Sequence, residues 1–362
     1  MFACIAAGYP REPHAPLPDL IDAADRQLEA GEITLAAHDE VEAAVVRELL
    51  QEQELAGLAI VADPVHHPDR LARIVRGLGG TTSSDTIVLA DGDSVAAPRF
   101  GDTVEWRAPI LVEEWLRADA ATDQQVKQVL PGPYTIASLA HGVGRARDRL
   151  ALALGEALNN EARALLEAGC PIVQIDEGAI TGIGDDSREW SVVAETQRRL
   201  TAGLHDAHLS LGLYGGTVHP AGFDAIFDSP FRSYLVDGLA GPDVWRFVFA
   251  APSDRGVIIG AADAHEPVRD ETEVMVWAMA WAAEGGRGHE RVGLAPNGSL
   301  TSVGRHMARR KIERMGEAVR IGSMGPLASV AVSLDPDPLH SRMPALRQLA
   351  QAADAARTPQ QA

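Results

Sequence analysis

Cysteine is nearly absent from this chain. Only Cys4 and Cys170 occur in 362 residues. Each lies beside a strand-like apolar run, so both read as small buried hydrophobes rather than as a disulfide. Lysines are also few, and 51 acidic side chains outweigh 32 basic ones to leave a net charge of -19. Such a surface repels phosphate backbones and argues against a nucleic-acid partner. No apolar run approaches the roughly 18 residues that a membrane span requires. The opening Met1-Phe2-Ala3-Cys4-Ile5 has no basic region and soon reaches Pro10 and Arg11, unlike a signal peptide. No G-x-G-x-x-G follows the first strand candidate, and there is no P-loop, no H-E-x-x-H and no Cys/His cluster with ligand spacing. Dinucleotide, P-loop and zincin-type sites therefore lack support. No internal repeat is visible. The expectation is a cytosolic globular protein whose partner is a small molecule; its oligomeric state stays open, with a homodimer as one option.

What the chain does have is alternation. Apolar runs at 3–7, 58–62, 127–130, 171–176, 209–214, 233–236, 246–249, 257–260 and 292–294 read as strands. Helical patterns separate most of them: Leu17 to Glu29, a helix capped by Asp39 and running to Leu55, Asp69 to Leu78, Arg147 to Ala168, Glu189 to Asp206, Glu271 to Glu284 and Ser302 to Val319. About eight strand–helix units with polar loops after the strands predict a (β/α)8 TIM barrel over residues 1–322. Residues 79–108, rich in Gly, Thr, Ser and Asp, predict an irregular hairpin-like insertion with short strands at Ile87–Leu89 and Thr103–Trp106, read as a lid over the site. Residues 323–362 predict a C-terminal extension, partly disordered, with a helix over Leu346–Ala355.

Val173-Gln174-Ile175-Asp176-Glu177 is the most informative stretch. A buried strand there delivers two carboxylates into a loop loosened by Gly178, Gly182 and Gly184. In a parallel α/β protein that is where ligands sit. The other reading is an aspartate capping the next turn. On a barrel the strand ends collect Asp63, Asp176, Glu177, Tyr214, His219, Asp263, His265 and Asn297. Paired carboxylates with an imidazole suit general acid–base chemistry. For His265 the alternative is a loop histidine bonded to neighbouring backbone; for His219, a loop residue before Pro220. His66-His67, between prolines, read as surface loop, because adjacent histidines do not easily face one metal.

Several segments, taken in order, resemble the C-terminal barrel of cobalamin-independent methionine synthase and its short single-domain relatives. They are Gly8-Tyr9-Pro10-Arg11, Gly31-Glu32-Ile33, Gln53 with Ala56-Gly57-Leu58, Asp63, Pro131-Gly132-Pro133-Tyr134-Thr135-Ile136, Val173 to Glu177 and Asp263-Ala264-His265. The resemblance spans about residues 3–320 and implies a barrel of the uroporphyrinogen decarboxylase and methionine synthase superfamily. It implies methyl transfer from a folate donor to the thiol of homocysteine, with Asp176 matching the amino-acid-binding aspartate. It also implies His265 as the histidine that protonates the folate leaving group.

The family's zinc ligands do not carry over. Its histidine-x-cysteine pair falls on Leu211 and Leu213 before Tyr214, its ligand glutamate near Ala250, its last cysteine on Gly298, and the serine near its first strand on Gly8. Zinc would deprotonate a thiol, and these residues hold no zinc. The expected function is therefore methyl or one-carbon transfer to a nucleophile needing no zinc. Asp176 and Glu177 would hold a cationic group and His265 would be the acid. Asp263 and Glu177 are further catalytic candidates, and Tyr214, Asp63, His219 and Asn297 candidate substrate contacts. Lyase or decarboxylase chemistry, a non-catalytic ligand-binding homologue, and a true homocysteine methyltransferase with a hard-ligand metal site are the alternatives.

Overall fold

Runs of Val, Ile and Leu bounded by turns bury both faces of a strand, and that favours parallel pairing beneath covering helices. The computed structural model describes residues 1–11, 19–63, 70–88, 94–140, 146–267, 270–284 and 286–324. Strand β1 (Phe2–Ala3) precedes helices α1 (Leu20–Glu29) and α2 (Leu35–Leu55), and β2 (Ile60–Ala62) precedes α3 (Arg70–Gly77). A hairpin, β3 (Leu78–Val88) and β4 (Ser94–Trp106), is inserted before α4 (Val112–Asp119). Then come β5 (Gln125–Pro131), α5 (Pro133–Leu139), α6 (Arg147–Glu167), β6 (Ile172–Asp176) and α7 (Ser187–Leu200). They are followed by β7 (Leu209–Leu213), α8 (Phe223–Phe227), β8 (Ser233–Asp237) and α9 (Val244–Ala250). The described chain ends with β9 (Gly256–Ala262), α10 (Thr272–Ala283), β10 (Val292–Pro296) and α11 (Arg305–Gly322).

Eight strands form one parallel sheet in the order β1-β10-β9-β8-β7-β6-β5-β2. A parallel bridge from Cys4 to Ile60 joins its two edges, and the Ala59 N–H donates to the Ala3 carbonyl at 3.0 Å. The sheet is a closed (β/α)8 barrel. Strand C-terminal ends therefore converge on one mouth, which gathers Asp63, Asp176, Tyr214, Asp237, Asp263 and Asn297.

The main core lies between strands and helices. Phe247 of α9 packs edge-on against Phe223 and Tyr234 at ring distances of 5.5 and 5.4 Å. The inner cluster is small: Cys4, Ala6, Ala7, Tyr214, Leu235, Ile258 and Ala295. Barrel interiors are ordinarily filled by bulky branched side chains. Here Lys127, Gln174, Ser210 and Ser233, all buried, share that space.

Some elements differ from the sequence expectation. Arg246–Phe249 belongs to helix α9, not to a strand; Val244, Trp245, Phe247 and Val248 bury at helical spacing while Arg246 faces out. Helix α2 starts at Leu35, capped by the Thr34 hydroxyl, which accepts from the Ala37 N–H at 3.2 Å; Asp39 sits inside it. The insertion is a long regular hairpin, with Leu78 opposite Trp106 and Val88 opposite Ser94. Glu161 on α6 anchors its base, accepting from Trp106 Nε1 at 2.7 Å and from the Leu111 N–H at 2.8 Å. Cys4 and Cys170 are buried and unpaired. Leu17, His66-His67, Leu89 and the extension beyond Met324 lie outside the described residues. Among the described residues no helix is long and apolar enough to cross a membrane.

Candidate active site

β6 ends on Asp176 because the strand's last residue points into the mouth as the sheet gives way to the 178–182 turn. One step deeper on the same face is Gln174, fully buried. Its Nε2 lies 2.7 Å from Asp176 Oδ1, 2.8 Å from the Tyr214 hydroxyl and 2.9 Å from the Ala6 carbonyl. Its Oε1 accepts from Lys127 Nζ at 2.6 Å, and Lys127 also donates to the Ile5 carbonyl. An ammonium has donors only, so it fixes the amide with its oxygen toward Lys127 and its nitrogen toward Asp176. Burial holds the Lys127 ammonium below its ordinary pKa, while the nearby Asp176 charge favours the cation. Gly212 on β7 makes room for the carboxylate: a Cβ there would sit 2.2 Å from Asp176 Oδ1.

Glu177, next in sequence, faces elsewhere. Its Oε1 accepts from the Tyr134 N–H at 3.0 Å, and its Oε2 from the Thr135 N–H at 2.8 Å and hydroxyl at 2.6 Å. The carboxylate caps α5, whose own cap position is Gly132, without a side chain to do so. A Cβ on Gly132 would lie 2.1 Å from the Glu177 carboxyl carbon. Burial pushes Glu177 up to about 7 against the pull of those donors. Its two oxygens are thus occupied by the protein, and the structure does not pair it with Asp176 as two free carboxylates.

A second cluster forms at the ends of β8, β9 and β10. Asp263 accepts from the His265 and Glu266 N–H groups at 2.9 and 3.2 Å, an Asx turn that holds the loop. Asn297 Oδ1 accepts from the Ala264 N–H at 2.8 Å, and the Asp263 N–H donates to Asp270 at 2.9 Å. Lys311 of α11 pins Asp270 at 2.8 Å, both side chains buried. The His265 ring, carried by this braced loop, is exposed. Asp263 and Asn297 thus shape the loop rather than project freely into the mouth.

The sequence reading passed over Asp237, which ends β8 and is 5% exposed. Asn297 Nδ2 donates to its Oδ1 at 3.1 Å, as does the Leu239 N–H at 3.0 Å. Burial raises its pKa, while Asn297, Leu239, His265 and the Gly215 N–H all pull the other way. Gly215 directly follows Tyr214, so Asp237 joins the two clusters. The signal was present: Tyr234-Leu235-Val236-Asp237-Gly238 repeats the apolar-strand, acid, glycine pattern of 172–178. Asp63 is buried after β2. His219 stands apart, exposed, its Nδ1 accepting from the Ala221 N–H at 3.3 Å at the start of a short turn.

The positions that correspond to the resemblance's zinc ligands offer no ligand atoms. Leu211 and Leu213 are buried in β7, Gly298 has no side chain, and Ala250 lies on α9, away from the strand ends. Among the described residues, the group of His, Cys, Asp or Glu side chains close enough to share an ion is His38, Asp39 and Glu42, on α2.

A closed eight-stranded barrel with acids, an imidazole and an amide on its C-terminal rim defines a (β/α)8 barrel protein. The chain belongs to the family described as cobalamin-independent synthase, catalytic domain, which matches residues 16–204. The methionine synthase of Sulfurisphaera tokodaii is 28% identical over 193 residues, covering 52% of this chain and 55% of that protein. The 5-methyltetrahydropteroyltriglutamate–homocysteine methyltransferase of Bacillus subtilis is 36% identical over 192 residues, covering 49% of this chain and 24% of that protein. The chain thus spans about half, or less, of the length of these curated relatives. Among solved structures, a B12-independent methionine synthase from a Shewanella species superposes with a TM-score of 0.72 at 18% identity, covering 92% of this chain and 99% of that one. A methyltransferase from Methanosarcina mazei gives 0.58 at 16% identity, covering 88% and 93%. These two establish the shared fold.

Proposed function

We propose that the chain transfers a methyl or one-carbon group to a small amine-bearing nucleophile bound in the C-terminal mouth, by a route that does not use the family's zinc. The observation that carries this reading is Asp176: a partly exposed strand-end carboxylate, oriented from below by the Gln174 amide and by the buried charge of Lys127. A carboxylate held in this way is preorganised to receive an ammonium group, because no rearrangement is needed on binding. The Shewanella structure was solved in complex with selenomethionine, which supports an amino-acid ligand for this mouth. His265, beside Asp237 across the rim, is placed to deliver a proton to a leaving group. Glu177 acts on α5 and thereby on the walls of the mouth, while Asp263, Asn297 and Asp270 present His265. A folate fits the role of methyl donor.

Leucine and glycine at the donor positions cannot hold zinc, so no thiol-activating step is assigned to the metal here. The test joins two measurements on the purified chain. Elemental mass spectrometry after zinc incubation and desalting should find zinc well below one equivalent. Calorimetry with methionine should show binding that Asp176→Asn abolishes. Near-stoichiometric zinc would overturn the zinc-free route, and methionine binding unchanged by Asp176→Asn would remove Asp176 from the site. Methyl transfer is then assayed with a methylfolate and a panel of amine-bearing nucleophiles, homocysteine first.

A further inference from the structure

The opposite, N-terminal mouth of a barrel is ordinarily filled by side chains that serve stability alone. In this chain it contains a cavity of about 340 Å³ among the starts of the strands, at the lower end of the size of ligand sites. Small residues open it: Ser210 begins β7's inner face, Ser233 begins β8 and Gly256 begins β9. Ile60, Ile172 and Ile258 form apolar walls.

The polar atoms at its inner end are not all satisfied. Ser210 is 2% exposed, and its hydroxyl has no hydrogen-bond partner. A buried hydroxyl left alone costs on the order of 1–3 kcal/mol. Lys127 also lines the cavity and is 2% exposed. Two of its three ammonium hydrogens go to neutral acceptors, the Ile5 carbonyl and Gln174 Oε1. Among the described residues no carboxylate hydrogen-bonds to it; the Asp176 charge lies nearby, with the Gln174 amide between the two. At the far side of the cavity His208 Nε2 lies 3.0 Å from the Ser233 hydroxyl.

We propose that this cavity is a second binding site, for a small monocarboxylate with a short apolar tail, its carboxylate on Lys127 and Ser210. The buried ammonium and hydroxyl call for an anionic acceptor, and the isoleucine walls call for a hydrocarbon. The rim selects for single charge. Arg291 is engaged with Glu290, and Arg232 with the His205 carbonyl. Exposed Asp206 and Asp254 stand beside them and disfavour a dianion such as phosphate.

The experiment is calorimetric titration of the full chain with butyrate, with butylamine and inorganic phosphate as contrasts. Butyrate is expected to bind in the millimolar range or tighter, and the other two are not. Ser210→Ala removes the hydroxyl with little change in shape and should weaken butyrate about tenfold, the worth of one hydrogen bond to a charged group. Ser233→Phe fills the space and should abolish binding, whereas Asp176→Asn, at the other mouth, should leave it intact. The proposal is overturned by folded protein that binds no butyrate at about 10 mM. It is equally overturned by butylamine binding as well as butyrate does, or by binding that Asp176→Asn removes and Ser210→Ala spares.

Discussion

Lys127 Nζ donates to Gln174 Oε1 at 2.6 Å, and that contact holds the amide whose nitrogen faces Asp176. Replacing the ammonium by a thioether of similar length removes the donor and the charge. Lys127→Met should therefore weaken methionine binding about tenfold, because Gln174 Oε1 loses its donor and Asp176 loses the buried positive charge behind it. Gln174→Glu, which puts a second carboxylate beside Asp176, should raise its pKa and move the pH dependence of binding upward. Calorimetry across pH 5–8 reads both. An unchanged Kd in Lys127→Met would show that Asp176 does not depend on this chain of contacts.

Glu177 carries α5 through three donors. In Glu177→Gln an amide NH2 must face at least one of the same N–H or O–H groups. Above about pH 7, where the carboxylate is charged, the expected loss is about 1.5–3 kcal/mol, the range for hydrogen bonds to a charged group. Urea denaturation measures it, and amide exchange should quicken first at 134–138. A loss below about 0.5 kcal/mol would mean that α5 is held by packing alone.

The same residue sets a pH signature. Burial raises Glu177 from an ordinary 4.5 to about 7 in the folded protein. Between those values the native state keeps a proton that the unfolded chain has released. Stability contributed by this group is therefore fully present below about pH 4.5 and declines as pH rises toward about 7. The stability difference between wild type and Glu177→Gln should shift over that window and flatten above it. A difference that is constant from pH 4 to 8 would contradict the raised value.

Gly212 tests the room made for Asp176. An added methyl at 2.2 Å from Oδ1 must push the carboxylate off its bond with Gln174. Gly212→Ala should lower methionine affinity at least tenfold while leaving the far-UV spectrum unchanged, since the backbone at this position is ordinary strand. Full affinity in this variant would place the amino-acid ligand elsewhere.

Asn297 and Asp270 brace the His265 loop from two sides. Asn297→Ala frees the Ala264 N–H and removes a donor from Asp237. Turnover with any accepted nucleophile should fall more than affinity does, because His265 is placed to act on the leaving group and not on the bound amine. Equal falls in kcat and kcat/KM across a pH profile of unchanged shape would fit that role; a pure rise in KM would not.

The barrel was legible because parallel strands and covering helices leave a strong alternation in the sequence. Asp176 was legible for the same reason: an apolar run, an acid, then glycines. Asp237 carries the same pattern, but the expected strand stops at Val236 and the acid after it goes unweighed. The Phe247-Val248-Phe249 run looks like a strand. Aromatic and β-branched residues raise strand propensity, but here tertiary packing on Phe223 and Tyr234 makes them helical. The role of Glu177 was not legible at all. It depends on backbone donors 42 and 43 residues away. Nor was the polar interior, because a strand buried on both faces does not reveal which side chains point into the barrel.

Lys127 and Lys311 are the only lysines in the chain, and both are buried, one inside the barrel and one beneath α11. All other positive side-chain charge is carried by arginine or histidine. Reagents that acylate primary amines therefore find no lysine on the native exterior. Lys311, bonded to Asp270, becomes reactive only when the last helix lifts, so its acylation times that opening. Lys127 lines the cavity at the N-terminal mouth, so its acylation reads how large a reagent that mouth admits. The two lysines thus report separately on one helix and one cavity, without any engineered label.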